Sequence, residues 1–439
     1  MTTPARQMHI SVLALAAGNN IAAWRMPDAQ AGSMNLPLLK HMVQTAERGK
    51  LDFFFIADTP HTAPNVHPSW VVRLEPLTLL AALSAITTHI GLAATVSTTY
   101  TEPYNLARYM ASLDHLSGGR AAWNVVGGAF PQAAANFGRL PHPAHGDRYS
   151  RASEFIEVAK GLWDSWEDGA LVMDKASGKY IDAAKMHVLN HEGRHFSVKG
   201  PLNILRPPQG YPVIVQAGAS EEGRDMAAAT AEAIFCVVSN IEEGKAFRDD
   251  IRARAEAHGR NPDHLKVLPG IFVIVGETEA EARRKLAALG EIIEPETAMK
   301  VLSDYIGQDL SQHPLDAPVP DFPSTEMMQG YAVALLDIAR EKGLTLRELR
   351  DLVAATQGHV LFMGTPGQIA DDLEEWFLAG AADGFQLMPH YFPGPFDEFV
   401  DLVVPILQER GLFRKEYSGT TLRENMGLPF PDHPARKGA

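Results

Sequence analysis

HIGLAATVSTTYTEPYNLARYMASLDHLSGGRAAWNVV, residues 89–126, decides the fold. It opens with an apolar run, HIGLAAT (89–95), passes through a helical pattern, NLARYMASLDHLSGG (105–119), and closes in a second apolar run, AAWNVV (121–126). Both runs are continuous rather than alternating, the pattern of strands covered on both faces. A strand, a helix and another such strand form the repeating unit of a parallel α/β sheet.

The unit recurs in both directions. Further runs of strand length are HISVLAL (9–15), DFFFIA (52–57), PVIVQA (212–217), AIFCVV (233–238), KVLPGIFVIV (266–275) and GFQLMP (384–389). Helical patterns lie between them. Asn35 is placed to cap LPLLKHMVQTAERG, with Gly49 as its stop. Thr278 and Glu281 are spaced as a capping box before EARRKLAALGEII. Eight strands alternating with helices predict an α/β fold of the (β/α)8 TIM-barrel type, eight being the number that closes a barrel. An open doubly wound sheet is the alternative. The expected organisation is a single domain over 1–439. Long connections at 127–211 and 276–383, after strands four and seven, bear insertions, and 411–439 forms a C-terminal arm around the barrel or a neighbouring subunit. The polar, Pro-rich stretch SQHPLDAPVPDFPSTE (311–326) reads as a mobile loop.

Composition narrows the function. The chain has 439 residues, 46% hydrophobic and 21% charged, with a formal charge of −14. An acidic protein lacks the basic stripe that nucleic-acid binding requires. Its one cysteine, Cys236, excludes an internal disulfide framework and sits in an apolar run as a buried thiol. No apolar run approaches the roughly 20 residues of a membrane span. ISVLALAA (10–17) reads as a buried first strand rather than a signal peptide, which implies a cytoplasmic protein.

Few local motifs carry chemistry. HEGRH (191–195) matches the zinc-protease pattern, but that chemistry needs a helix, and Gly193 with the following FSVKGP speaks for turn and strand. No metal site is expected. Neither a dinucleotide glycine fingerprint nor a Walker loop is present. QAGAS (216–220) leaves a strand and enters a helix, so Ser220 can cap a helix terminus able to seat a phosphate; an ordinary tight turn is the other reading. Asp58 and Thr95 end strands, where a barrel of this kind places its active site; turn capping is the other reading, and their shared position at one face favours the first. In HGDRYSRASEFIEVAKGLWDSW (145–166), Ala152, Phe155, Ile156, Ala159, Leu162, Trp163 and Trp166 form one apolar helical face. Extending that stripe backwards reaches Tyr149 and His145, which face the barrel mouth if the helix starts early enough; the other reading is that they close the loop GAFPQAAANFGRLPHPA onto the helix. Arg148 and Arg151 point elsewhere, to solvent or phosphate.

These stretches, with AAWRMPDA, GKLDFFFIAD, RPPQGYPVIVQAGASEEGRDMAA, GTPGQIADDLEEWF and GAADGFQLMP, resemble the flavin-dependent monooxygenases of the bacterial-luciferase-like superfamily. The resemblance covers most of the chain in one order. It is nearest to the branch of nitrilotriacetate, EDTA and dibenzothiophene-sulfone monooxygenases. It implies a barrel that binds reduced FMN at its C-terminal face, with Asp58, Thr95, His145, Tyr149 and Ser220 as flavin contacts and Ser220 near the phosphate. It also implies oxygenation of a small organic substrate, of organosulfur or amine type, through a flavin C4a-hydroperoxide formed with O2. His145 is the candidate proton donor or acceptor, since imidazole titrates near neutrality. The missing nicotinamide fingerprint points to a separate NAD(P)H:flavin reductase as partner. Homodimers and homotetramers are common in the family. Met26 stands where this branch often has histidine, and with Asn19-Asn20 and Arg25 it is expected at the pocket. The alternatives are a flavin-binding homologue without oxygenase activity and a metal-dependent barrel hydrolase.

Overall fold

The computed structural model describes residues 6–435 apart from 17, 31, 65, 129–130, 219 and 321–328. Seven parallel strands come first: β1 (His9–Leu13), β2 (Phe53–Ile56), β3 (Gly91–Ser97), β4 (Ala121–Val126), β5 (Val213–Ala217), β6 (Ala233–Cys236) and β7 (Lys266–Val275). β8 (Val360–Gly364) and β9 (Gly384–Leu387) follow. Neighbours pair in the order β1 to β7, then β7 with β9 and β9 with β1, which closes an eight-stranded barrel. Each of the eight apolar runs supplies one barrel strand.

β8 is the strand that the sequence reading missed. It pairs with the second half of β7, Ile271–Val275, where that ten-residue strand extends beyond its barrel neighbours. Its short run VLFMG is only partly buried, so it lacks the long apolar signal of the others.

The helices that matter for the site are α1 (Leu36–Arg48), α2 (Pro76–Ser84), α3 (Pro103–Ser117), α4 (His145–Trp163), α5 (Glu221–Thr230), α6 (Ile241–Ala257), α7 (Glu279–Glu291), α8 (Pro295–Ile306), α9 (Gln329–Lys342), α10 (Leu346–Thr356) and α11 (Pro366–Leu378). Asn35 caps α1 by accepting from Leu38 N, with Gly49 at the other end. Thr278 caps α7 by accepting from Glu281 N, whereas the Glu281 carboxylate reaches back to Glu277 N rather than to Thr278. α8 and α10 pack with Leu335 and Ala339 of α9 into a separate small core that also takes in Ile21 and Ala22. Among the described residues no helix is long and apolar enough to cross a membrane.

A large core lies between the strands and the surrounding helices. A second fills the barrel itself, where Leu13, Phe53, Phe55, Ala93, Ala122, Val213, Val215, Leu268 and Phe272 point inward. Leu422, Met426 and Leu428 belong to that inner cluster. They reach it from the N-terminal ends of the strands. Leu422 N donates to Gly119 O just before β4, and a Cβ on Gly91 at the start of β3 would lie 2.6 Å from Leu422 Cδ1. Arg423 pairs with Glu232 before β6, and Arg414 with Asp52 before β2. The segment after Gly411 therefore forms the floor of the barrel, which leaves the C-terminal ends of the strands as its open face. Residues 311–320 are fastened to the start of α10 by the Arg347–Asp316 ion pair and by Leu346 N donating to Ala317 O. Of the mobile loop expected over 311–326, residues 321–326 lie outside the described residues.

Candidate active site

At the open face lies a cavity of about 360 Å³. Asp58, Thr95, His145, Tyr149 and Ser220 all line it, although they are spread over 163 positions of sequence from first to last. α4 begins at His145, so His145 and Tyr149 sit one turn apart with ring centroids 4.8 Å from each other. The helix is held in place by its buried stripe: Phe155 lies 5.6 Å from the Trp123 ring, and Trp163 Nε1 donates to Ala107 O at 3.0 Å.

Tyr149 Oη and Ser220 Oγ are 3.3 Å apart, and Ser220 Oγ accepts from Gly223 N at 3.2 Å as the N-cap of α5. A Cβ at Gly223 would come within 2.9 Å of Tyr149 Oη and 3.0 Å of Ser220 Oγ, so a side chain there would push these two hydroxyls aside. This leaves a helix terminus with its free N–H groups, a hydroxyl and a phenol together at one corner of the cavity, a ready seat for a phosphate. Two acidic residues open α5. Glu221 is neutralised by Arg224 and Arg254, and Glu222 Oε2 stands 4.0 Å from His145 Nδ1.

Thr95 and Asn124 are direct neighbours in the β3–β4 register, and Asn124 Nδ2 donates to Thr95 Oγ1 at 2.9 Å. Asn124 Oδ1 is buried and has no partner among the described residues. A buried unpaired acceptor is costly, and a cavity ligand with an N–H or O–H donor would satisfy it. Asp58 is half-buried and paired with Arg73 at 3.1 Å. Burial raises its pKa and the arginine opposes that rise.

A profile of the luciferase-like monooxygenases matches residues 19–383. The chain belongs to that family. N-acetyl-S-(2-succino)cysteine monooxygenase of Bacillus subtilis (strain 168) is 47% identical over 435 residues, 98% of this chain and 99% of that protein. Nitrilotriacetate monooxygenase component A of Aminobacter aminovorans is 45% identical over 447 residues, with coverage of 98% and 99%. Among solved structures, riboflavin lyase with modified FMN and riboflavin superposes with a TM-score of 0.89 at 36% identity, covering 98% of this chain and 99% of that one.

Several expectations need correction in this luciferase-like monooxygenase. Arg148 is buried and lines the cavity, its Nη1 donating to Pro143 O at 2.7 Å. Arg151 does point away: it donates to Thr98 O and lies over the Phe196 ring at 4.2 Å. The segment around Met26 is not at the cavity. Arg25 donates to Ile292 O, Met26 packs near Ala23, Ile274 and Tyr391, and buried Asn19 donates to Leu13 O and Pro389 O behind the wall. HEGRH is a short strand and a turn: His191–Glu192 pairs with Ser197–Val198, the His191 ring bonds Glu154, and the His195 ring bonds Ser150. Cys236 is buried at the end of β6 beside the cavity, and burial pushes its thiol well above the ordinary range.

The site also holds residues that the sequence reading passed over. Asn124 carried the same signal as Thr95, a polar residue inside an apolar strand. Trp70, Tyr305, Gln357 and His359 line the cavity from connections, where no periodicity announces them.

Proposed function

We propose that the protein is the oxygenase component of a two-component system, which takes reduced FMN from a separate NAD(P)H:flavin reductase and inserts one atom of O2 into a small organic substrate. The observation that carries this reading is the pairing, within one cavity, of a phosphate seat at Ser220 and Tyr149 with the unpartnered acceptor Asn124 Oδ1. A flavin mononucleotide is a molecule with an anionic end and a ring bearing an N–H donor, and these residues fit both. Ser220, Tyr149 and the first turn of α5 hold the phosphate. Thr95 and Asn124 hold the ring, and Asp58, fixed by Arg73, shapes the wall beside them. Reduced FMN supplies the activation of oxygen.

The chain's own residues orient the flavin and keep the site dry. Leu13, Phe55, Trp70, Val125, Phe235 and Met388 give the cavity mostly apolar walls, which exclude water and strengthen the few polar contacts. His145 stands over Tyr149 at the mouth and moves the proton that the reaction consumes or releases, with Glu222 as the nearest acidic partner.

The relatives suggest three test compounds: N-acetyl-S-(2-succino)cysteine, nitrilotriacetate and dibenzothiophene sulfone. Purified protein, FMN, NADH and an added flavin reductase should oxygenate at least one of them. Stopped-flow mixing of the reduced complex with O2 should show the transient absorbance of an oxygenated flavin. NADH consumption at full rate without the reductase would reject the two-component reading. FMN binding without oxygenated flavin or product would leave a flavin-binding homologue.

A further inference from the structure

β7 carries glycine at an inward-facing position, between Leu268 and Phe272, which both belong to the barrel's inner cluster. A Cβ on Gly270 would lie 2.5 Å from His359 Nδ1 and 2.6 Å from Phe235 Cε2. The strand is thus notched, and the His359 imidazole fills the notch. Its ring lies 5.2 Å from the Phe235 ring and 6.4 Å from the Phe272 ring, and it is hydrogen-bonded to the Gly270 backbone. An isolated glycine inside a strand marks a close approach of another group, and here that group comes from outside the barrel.

His359 follows Gln357 and Gly358, both with positive φ (52° and 76°), which turn the chain from the end of α10 into the cavity. Gln357 lines the same wall, its Nε2 donating to Asn19 O at 2.6 Å. Tyr305, near the end of α8, completes it. All three come from the connection between β7 and β9, whereas the phosphate seat and the Thr95–Asn124 pair belong to β3, β4, α4 and α5. The wall presents a phenol, an amide and an imidazole, and no formal charge. Burial keeps the imidazole neutral by lowering its pKa to about 3. Arg148, the arginine among the cavity's lining residues, stands on α4, a different element from the three, and donates to Pro143 O.

We propose that Tyr305, Gln357 and His359 form the substrate-recognition wall, and that the reacting end of the substrate lying against it is an uncharged, polarisable group such as a thioether, with any carboxylate directed to the mouth. The inference rests on the flavin monooxygenase reading and assigns the selectivity of that site to the connection rather than to the barrel strands. A charged carboxylate at this wall would be desolvated with no cation to meet it, which is a strong ground for rejection.

The test uses the full chain with FMN, a flavin reductase and the three compounds named above. The wild type should favour N-acetyl-S-(2-succino)cysteine, whose reacting thioether sulfur is uncharged, over nitrilotriacetate, whose reacting tertiary amine is protonated at neutral pH, by about tenfold or more in kcat/KM. His359→Phe should hold its FMN dissociation constant within about twofold, lose about twentyfold or more in kcat/KM on the best compound, and divert O2 to H2O2; His359→Asn should recover part of the loss. Should His359→Phe fail to fold, Gln357→Leu is read for the same outcomes. A preference for nitrilotriacetate overturns the substrate class. A large loss of FMN affinity, or an unchanged kcat/KM, overturns the wall. If the wild type binds FMN but oxidises none of the three, the wall is judged by binding alone, and the monooxygenase reading fails as well if no oxygenated flavin forms. A compound that raises the Tm of the FMN-loaded wild type must then lose that effect in His359→Phe; a retained shift, or no binding by any of the three, overturns the wall.

Discussion

Replacing Asn124 with alanine separates a ligand-holding role from a structural one. In the free protein the Asn124 side chain makes one hydrogen bond, to Thr95 Oγ1, and leaves Oδ1 buried without a partner. The bond contributes about 0.5–1.5 kcal/mol, and the orphaned acceptor costs about 1–3 kcal/mol. Removing both nearly cancels. Because the side chain borders an existing cavity, its loss enlarges that space rather than opening a new void. An unfolding entropy of about 2.1 cal/mol/K per residue amounts to roughly 0.9 kcal/mol/K over the 439 residues. The Tm of the flavin-free Asn124→Ala protein should therefore lie within about 2 °C of wild type. The FMN-bound state behaves differently. Alanine leaves the ligand's donor buried with nothing to accept it, a loss of about 1–3 kcal/mol, or roughly 5- to 150-fold in dissociation constant. Thr95→Val cuts the same bond from the other side, and the double variant should be less impaired than the sum by about 0.5–3 kcal/mol. Quenching of flavin fluorescence measures the affinities and differential scanning calorimetry the Tm. An FMN affinity equal to wild type, or a large fall in Tm without flavin, would refute the assignment of Asn124 as a flavin ligand.

Other changes have equally definite outcomes. Ser220→Ala removes the α5 cap, worth about 1 kcal/mol, and should weaken FMN several-fold while leaving riboflavin, which lacks the phosphate, almost unaffected in the same titration. Tyr149→Phe should shift the two ligands in the same sense, since its hydroxyl stands 3.3 Å from Ser220 Oγ. Gly270→Ala drives a methyl group against His359 and should lower stability by about 1–3 kcal/mol, with a fall in turnover but not in flavin affinity. Arg423→Met removes the ion-pair partner of the largely buried Glu232 and should cost about 3–5 kcal/mol at neutral pH, a Tm loss of roughly 3–5 °C. Its pH dependence has a fixed sign. In the wild type Arg423 holds the Glu232 pKa below its ordinary value against the desolvation that raises it, so this pair stabilises the fold above the unfolded glutamate pKa and the benefit fades as pH falls through the folded value. Without Arg423 the desolvation is opposed only by the Ile214 N–H and Lys160, so the pKa moves up from its wild-type position, acidification relieves the buried charge sooner and the gap to wild type narrows. A gap that widens on acidification would contradict this.

The barrel was legible because its strands are buried on both faces and read as unbroken apolar runs. β8 escaped because it is half-covered and extends only the outer part of β7. At the site, Asp58 and Thr95 were visible as polar residues closing apolar runs, and His145 and Tyr149 as the backward extension of a helical stripe. Asn124 showed the same contrast in AAWNVV. The Tyr305–Gln357–His359 wall was not readable, because no local pattern tells where a connection more than a hundred residues long folds back. Its one trace was Gly270, a gap in an otherwise bulky strand. Arg25 and Met26 illustrate the opposite error: a segment that follows a strand need not face what that strand faces.

The barrel floor has a consequence for truncation. Leu422, Met426 and Leu428 are translated after every barrel strand, so a chain stopped just before them would contain all eight strands yet leave the underside of the cylinder an unsealed greasy ring. Such a product should aggregate rather than fold, although it lacks no strand.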